Sequence, residues 1–300
     1  MELTPEVPIW RTVAAGYRAG ISVLVRDGAL FRYFIYASVL SLPIVGIQYV
    51  VEQAATPTMQ VLKPLFSLLT YVAYAMALSP LTAAIHRKLL LGESPRQLYF
   101  AAMFRTTELR LAVATIAVSA LFLTAELMAY PLVYLLYGVS PFDAAGLAQA
   151  YEAQPLIAMN LAAAMLIAYL VAGLAATRFA FAFPAIATQA RGASLRQSYV
   201  ETHGSTWRLF FIFLIIFLFP FLLFIGAVAG TSAAFVIGNP EVMRTPEAGE
   251  TMERSLPFLV LYAIMFLAMM AMVAVTAAAA ARAYEIRINR GMSGVAEVFA

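Results

Sequence analysis

Six long stretches of apolar residues alternate with short polar segments along this chain. The stretches cover residues 30–51, 61–85, 111–137, 155–183, 209–237 and 256–281. Each holds more than twenty residues and is therefore long enough to cross the hydrocarbon layer of a bilayer as a helix. The pattern predicts an all-α polytopic membrane protein with six transmembrane helices.

The composition supports a single membrane domain over residues 1–300. Hydrophobic residues make up 63% of the chain and charged residues only 12%, whereas a soluble domain carries about a quarter charged residues. The chain has no cysteine, which excludes disulfides and thiolate chemistry. The N-terminal residues lack the charged start and apolar core of a signal peptide, so we expect the first span to act as an uncleaved anchor.

The basic residues are distributed unevenly between the two ends of the predicted spans. Sixteen of the 19 lysines and arginines fall in the N-terminal segment, the second and fourth connections and the tail. Since cytoplasmic segments are enriched in basic residues, this bias predicts a bacterial inner-membrane protein with both termini in the cytoplasm.

The polar segments contain basic amphipathic patterns. Residues 8–26 read as a helix with an apolar face and a polar face, and residues 89–110 form a second such segment. The apolar face consists of Ile9, Val13, Tyr17, Ile21 and Leu24, and the polar face of Arg11, Arg18, Ser22 and Arg26. The first helix is predicted to lie in the headgroup layer, and the alternative is a cytosolic helix packed on loops. We expect Asp27-Gly28 to break it, with glycine permitting the turn.

Short sequences that recur along the chain predict three repeats of an amphipathic segment followed by a helical hairpin. The hexapeptide GESPRQ at residues 92–97 matches GASLRQ at residues 192–197, and Gly291-Met292-Ser293 repeats its start. The predicted units cover about 8–93, 94–193 and 194–300. Pro43, Pro131 and Pro220 each lie in an outward-going span, where they shape the bundle or serve as hinges.

Residues 178–211 carry a family resemblance. An arginine near a span end precedes an aromatic-alanine alternation into Pro184, then a basic Gly-x-Ser segment, Ser198, Gly204 and Trp207-Arg208. The stretch resembles the bacterial six-helix membrane domain found attached to glycerophosphoryl diester phosphodiesterases. The resemblance implies a fold and an inner-membrane location. The resemblance does not imply phosphodiesterase activity, because the catalytic domain is not part of this sequence.

Three arginines are candidate sites for lipid headgroups. Arg32, Arg110 and Arg208 each lie at the cytoplasmic start of an outward-going span. A cation there opposes the helix dipole, yet together with unpaired N–H groups it forms a fork that suits a phosphate. The alternative is that these residues only signal topology, with their side chains extending to the interface.

Glu126 is the acidic residue that falls inside a predicted span. It is a candidate proton or cation site by default, and the preferred alternative is a protonated glutamate bonded to Tyr130, Asn160 or Gln48. Asn160 is therefore kept as a second intramembrane polar candidate. His86 and His203 belong to different repeats and are expected to be structural or solvated.

These features favour a non-catalytic membrane scaffold. Its predicted partners are anionic lipid and, as a second expectation, a protein bound on the basic cytoplasmic side, with no nucleic acid and no cofactor or metal. The alternative is a transporter or channel for a small or lipidic substrate that uses Glu126. An enzyme acting on membrane lipid ranks lowest, because the sequence shows no acid–base pair and no metal motif.

Overall fold

A computed structural model describes residues 7–53, 57–138, 155–190, 192–238 and 256–299. Every regular element in these ranges is a helix. In chain order the helices are α1 Ile9–Arg26, α2 Gly28–Gln53, α3 Pro57–Leu91, α4 Tyr99–Met103, α5 Thr106–Leu127, α6 Ala129–Tyr137, α7 Pro155–Thr177, α8 Ala182–Ala187, α9 Leu195–Glu201, α10 Thr206–Gly238 and α11 Leu256–Phe299. The all-α class predicted from the hydrophobic pattern is confirmed.

Five helices in the described ranges are long and apolar enough to cross a membrane. Their candidate spans lie in α2, α3, α5, α10 and α11. The apolar part of α7, Ala162–Thr177, is shorter, so the sixth span remains a prediction. Large apolar side chains such as Phe219, Leu222 and Leu135 point outward and are more than half exposed, as expected where the surroundings are hydrocarbon.

The boundaries of several predicted spans differ from the helices observed. α3 continues through His86-Arg87-Lys88 to Leu91, so its charged end is part of the helix. The third predicted span is interrupted at Met128, between α5 and α6, although Met128 keeps helical dihedral angles and its N–H still bonds to the carbonyl oxygen of Thr124 at 3.1 Å. Pro131 has no N–H to bond to the carbonyl oxygen of Leu127, which accounts for the interruption, while Pro43 and Pro220 lie inside continuous helices.

Helix α1 packs closely along α11, and glycine makes the contact possible. A Cβ atom at Gly16 would lie 2.9 Å from the Cβ of Ala279, and one at Gly20 would lie 2.8 Å from the Cα of Val275. Because the later glycine meets the earlier residue of α11, the two helices run in opposite directions. The Tyr17 hydroxyl also donates to the carbonyl oxygen of Ile216 in α10 at 2.9 Å. The helix therefore packs on spans rather than on loops.

The apolar face of α1 differs by one position from the prediction. Val13 and Leu24 are buried as expected, but Ile21 is 48% exposed. Gly20 takes the central place on the packed face, since only a residue without a side chain fits against the α11 backbone. An apolar scale cannot identify such a position, because it gives glycine no weight. The location of α1 in the headgroup layer stays a prediction.

The turn between α1 and α2 is made by Asp27 and not by Gly28. Asp27 adopts an extended conformation with φ −105° and ψ 101°, and Gly28 is already the first residue of α2. The predicted amphipathic segment at 89–110 is likewise divided between the end of α3, a loop, the short helix α4 and the start of α5. Neither difference changes the helical class.

The Gly-x-Ser echoes correspond to shared structure at two of the three positions. Gly92 and Gly192 both have positive φ, at 74° and 78°, and each follows a helical segment. The serines differ, since Ser194 caps α9 whereas Ser94 bonds to Asp27. Gly291-Met292-Ser293 lies inside α11 and makes no turn. The threefold repeat therefore remains a prediction, with a turn shared by two of its units.

Substituting Gly20 tests the packing of α1. Gly20→Ala should lower the free energy of unfolding by about 1–3 kcal/mol, because the backbone of Val275 cannot move away from the added carbon. Gly46→Ala is the matched control, since a Cβ there meets nothing within 4 Å. It should be neutral or stabilise α2 by about 0.5–1 kcal/mol. Thermal unfolding in detergent, followed by tryptophan fluorescence, measures both, and equal melting temperatures would contradict the packing described.

Candidate functional site

A polar cavity of about 310 Å³ lies where α2, α3, α4 and α5 meet. Its walls come from the first turns of α2 and α5, the last turns of α3, the loop 92–98 and α4. The lining side chains are Tyr33, Pro80, Ala84, Arg87, Glu93, Ser94, Pro95, Arg96, Gln97, Ala102, Arg105 and Glu108. Three of them are arginines and two are carboxylates, so the cavity carries an excess of positive charge.

The loop 92–98 is fixed to α2 by a small network of charged and polar groups. Lys88 Nζ lies 2.9 Å from Asp27 Oδ2 and donates to Ser94 Oγ at 2.8 Å. Ser94 Oγ in turn donates to Asp27 Oδ2 at 2.6 Å. Gly92 allows the chain to leave α3 through its left-handed conformation. The network holds one wall of the cavity in a defined position.

Asp27 also caps α2 with its second carboxylate oxygen. Oδ1 accepts from the backbone N–H groups of Ala29 at 3.0 Å and Leu30 at 3.2 Å. Burial alone would raise the pKa of this carboxyl, but the hydrogen bonds from Ser94, Lys88, Leu30 and Ala29 together lower its pKa from 3.8 to about 2. The ionised form is therefore the one that holds α1, α2 and the loop together.

Two tyrosines form the apolar side of the same junction. The Tyr33 hydroxyl donates to the carbonyl oxygen of Gln97 at 3.0 Å, and its ring meets the Tyr99 ring edge-on with centroids 4.9 Å apart. Tyr99 is almost fully buried and donates to the carbonyl oxygen of Ala77 in α3. Burial raises the pKa of Tyr99, so it stays a neutral donor. These contacts attach α4 to the helical hairpin.

A buried ion pair forms the floor of the cavity. Arg87 Nη1 donates to Glu108 Oε1 at 3.0 Å, and Arg87 Nε donates to the carbonyl oxygen of Ala187 at 2.9 Å. The two side chains are only 16% and 3% exposed. Arg87 Nη2 and Glu108 Oε2 are buried without a protein partner. The pair thus leaves one charged donor and one charged acceptor for a bound group.

Exposed apolar side chains lie beside the mouth of the cavity. Leu98 is 79% exposed and Phe104 is 71% exposed, and Phe100 between them is also exposed. All three belong to α4 or its flanks, next to the cavity residues Gln97, Ala102 and Arg105. Aromatic and aliphatic side chains exposed beside arginines are typical of a segment at a membrane–water interface.

The three arginines predicted to hold headgroups lie on three different helices. Arg32 on α2 and Arg110 on α5 are exposed, Arg208 on α10 is half-buried, and none of them lines the polar cavity. Arg32 Nε donates to the carbonyl oxygen of Gly28 in its own helix at 3.3 Å. The N–H groups of Ala29 and Leu30 are already bonded to Asp27, so the predicted fork of arginine and unpaired amides does not form there.

Of the two intramembrane polar candidates, only Asn160 has a side chain within the described part of the structure. Glu126 lies in the last turn of α5, two residues before the break at Met128, but its side chain falls outside the part of the structure that is described. Asn160 is exposed on α7. Of the two histidines, His203 is exposed, whereas His86 is 1% exposed in α3, so a solvated role for His86 is wrong.

The residues that build the cavity were missed as a group by reasoning from the sequence. Glu108 was not singled out within the basic segment 89–110, and Arg87 counted only as one of the sixteen basic residues that signal topology. A signal was present, since an acid in the first turn of a span is unusual in so apolar a chain. Its partner lies 21 residues away, however, and only the packing of α3 on α5 pairs them.

The stretch that carried the family resemblance folds around the backbone of Arg178. Its carbonyl oxygen accepts from Ser198 Oγ at 3.1 Å and Thr202 Oγ1 at 2.9 Å. Its guanidinium lies 4.0 Å from the Tyr199 ring centroid and donates to Thr206 Oγ1 at 2.9 Å. These contacts join the end of α7, α9 and the start of α10, which is a structural role.

Comparison of the chain with protein-family models, with curated proteins and with solved structures finds no match. The resemblance to the six-helix membrane domain therefore remains an expectation from the sequence. The assignment of function rests on the geometry of the cavity.

The network around Asp27 makes a prediction about pH. Because its folded pKa is lowered, the stability it contributes is present above the unfolded value of 3.8 and is lost as the pH falls through about 2. Asp27→Ala should cost about 1–2 kcal/mol at pH 7 through loss of the cap and the bond to Lys88. The difference in melting temperature between wild type and variant should narrow below pH 4. Glu93→Ala, which removes an exposed acid nearby, is the control, and a difference that does not depend on pH would contradict the role of the ionised cap.

Proposed function

We propose that this protein is a non-catalytic inner-membrane scaffold that binds anionic lipid at its cytoplasmic side, in a six-span arrangement of three hairpins with both termini in the cytoplasm. The observation that carries the proposal is that Arg87, which lines a cavity of about 310 Å³, has a buried cationic donor, Nη2, without a protein partner. A volume of this size is at the lower end of the range for small-molecule sites, about 300–1,000 Å³.

The chemistry of the lining favours a phosphate group. Arginine binds phosphate through two parallel N–H bonds, and Arg96 and Arg105 line the same cavity as Arg87. Glu108 is already neutralised by Arg87 at 3.0 Å, which leaves the positive charges in excess over the exposed Glu93. An anion is therefore attracted into the cavity.

The surroundings of the cavity favour a lipid over a dissolved anion. Leu98, Phe100 and Phe104 provide an exposed apolar rim on which acyl chains can lie. The charge bias of the sequence places the same region on the cytoplasmic side, where anionic lipids attract basic residues. Arg32, Arg110 and Arg208 extend this basic surface to the starts of α2, α5 and α10, and the same surface is where a protein partner would dock.

A non-catalytic role agrees with how the charged groups of the cavity are used. Arg87 is bonded to both α5 and the last residue of α8, and Asp27 caps α2 while holding Lys88 and Ser94. Because a guanidinium does not lose its proton in proteins, Arg87 cannot exchange protons with a substrate, and its bonds stabilise the fold. We therefore assign the cavity to binding.

Lipid retention measured by native mass spectrometry tests the proposal. The variant Arg96→Gln with Arg105→Gln removes two cavity cations that are not part of the Arg87–Glu108 pair. Since each basic residue near an anionic surface contributes about 1 kcal/mol, retention of phosphatidylglycerol should fall about thirtyfold. Arg18→Gln with Arg26→Gln on the outer face of α1 is the matched control. Equal retention in the two double variants would contradict a specific site.

The wider basic surface is tested in the same assay. Replacing Arg32, Arg110 and Arg208 together by alanine should weaken retention by about 3 kcal/mol if the three positions act independently. Unchanged retention would show that these three residues only determine the topology of the chain, and the cavity would then be the lipid site.

A transporter that uses Glu126 is the second candidate function, and one observation favours it. The helix break at Met128 lies next to Glu126, and discontinuous spans are common at the substrate sites of transporters. Glu126→Gln keeps hydrogen bonding but removes ionisation, so a structural glutamate predicts normal folding and no change in solute or proton flux in liposomes. Glu126→Leu should lower the stability of the protein whether Glu126 is structural or part of a transport site. A glutamine variant that is as stable as wild type but has lost a measured flux would establish Glu126 as a working site.

A further inference from the structure

A second cavity, of about 580 Å³, lies between α3, α5, α7, α10 and α11. Its walls are mainly aromatic and aliphatic, and Phe122, Phe183, Phe210, Phe213 and Phe217 supply much of them. No aspartate, glutamate, lysine or arginine is among the described residues that line it. The volume lies within the range of about 300–1,000 Å³ that holds small molecules in proteins.

The cavity contains polar groups that the protein itself does not satisfy. His86 lines it, is 1% exposed, and has no hydrogen-bond partner at either ring nitrogen. Thr276 Oγ1, on the α11 side, is also buried without a partner. A buried polar atom without a partner is costly, so such groups in a native structure point to a bound molecule.

The neighbouring hydroxyl groups show that this situation is specific to two residues. Thr115 and Ser79 also line the cavity, but Thr115 Oγ1 donates to the carbonyl oxygen of Leu111 at 2.9 Å and Ser79 Oγ to that of Met76 at 3.2 Å. Their hydroxyls are satisfied within their own helices. Among the described residues that line the cavity, His86 and Thr276 are the two whose polar side-chain atoms are buried without a partner.

We propose that this cavity binds an uncharged lipid alcohol, that is, a hydroxyl group carried on one or two long hydrocarbon chains. A neutral imidazole offers one donor nitrogen and one acceptor nitrogen, and a hydroxyl can bond to either of them, since it both donates and accepts. The chain occupies the apolar walls. An ionised headgroup does not fit, because no charged residue among those described lines the cavity to compensate it.

The proposal is independent of the anionic-lipid site. His86 and Arg87 are consecutive residues of α3, and successive side chains on a helix point about 100° apart, as the 3.6-residue turn requires. Arg87 lines the polar cavity and His86 the apolar one. Loss of either site leaves the other intact, so the two sets of experiments can fail separately.

Photolabelling in phosphatidylcholine vesicles tests the proposal. The probe is a diacylglycerol with a diazirine in one acyl chain, and labelled peptides are mapped by mass spectrometry. Labelling of the α3, α5 and α11 segments that line the cavity should be saturable. Dioleoylglycerol or oleyl alcohol should compete with the probe for the cavity. If only dioleoylglycerol competes, the ligand has two hydrocarbon chains; if only oleyl alcohol competes, it has one. Ionised oleate at pH 9 should not compete.

Three variants separate a ligand contact from a structural role. His86→Leu should weaken probe binding about tenfold through loss of one hydrogen bond, and Thr276→Val should weaken it less. Thr115→Val, whose hydroxyl is already satisfied, is the matched control and should bind as wild type. Without ligand, His86→Leu should melt at or above the wild-type temperature, because it removes a buried group that has no partner.

Several results would overturn the proposal. Labelling that does not saturate, or equal competition by oleate, would show that ordinary lipid chains fill the space. A His86→Leu protein that is less stable but binds the probe as wild type would make His86 structural. If His86→Leu fails to fold, Ala176→Phe, which fills the cavity from α7, replaces it. Undiminished labelling in Ala176→Phe would likewise rule out the site.

Discussion

The buried ion pair between Arg87 and Glu108 is the interaction on which this end of the helical bundle depends. It joins α3 to α5, and the same guanidinium holds the last residue of α8 through the carbonyl oxygen of Ala187. Removing one partner from such a pair costs about 3–5 kcal/mol, because the other charge stays buried and uncompensated. The pair also lines the polar cavity, whereas α4 and the loop 92–98 are held by the contacts of Tyr33, Tyr99, Asp27 and Lys88.

Three consecutive side chains near the end of α3 face three different surroundings. His86 lines the apolar cavity, Arg87 the polar cavity, and Lys88 bonds to Asp27 and Ser94. The angular spacing of a helix makes this possible, since three consecutive side chains cover more than half of its circumference. The two proposed sites, for a charged headgroup and for an uncharged lipid, therefore lie on neighbouring faces of a single helix.

The helical class and most helix positions could be predicted from the sequence, because a run of apolar residues has few alternatives to a membrane helix. The details that failed depend on tertiary contacts. Gly20 is buried because the backbone of Val275 lies against it, and the hydrophobic pattern of the sequence does not predict that contact. The interruption at Met128 lies inside an apolar run, and Pro131 marked it in the sequence, but a proline alone does not show whether a helix bends or ends at that point.

The candidate site could be predicted less well than the fold. The concentration of basic residues on one side of the spans was visible in the sequence, but Arg87 stood out no more than Arg110, and Glu108 was not singled out. Pairing across 21 residues requires the crossing of two helices, which composition and periodicity do not encode. His86 shows the same limit, since a histidine between apolar residues and two bases reads as a surface residue until α3 is packed.

The most direct test of this account is an experimental structure of the protein in nanodiscs that contain phosphatidylglycerol. The account predicts the Arg87–Glu108 bond intact and a lipid phosphate oxygen within about 3 Å of Arg87 Nη2, the distance of a charged hydrogen bond. A cavity without lipid, in which Arg87 Nη2 has turned to Glu108 Oε2 to complete a bidentate pair, would contradict it. In that arrangement the protein satisfies its own buried charges and no group is left to bind a headgroup.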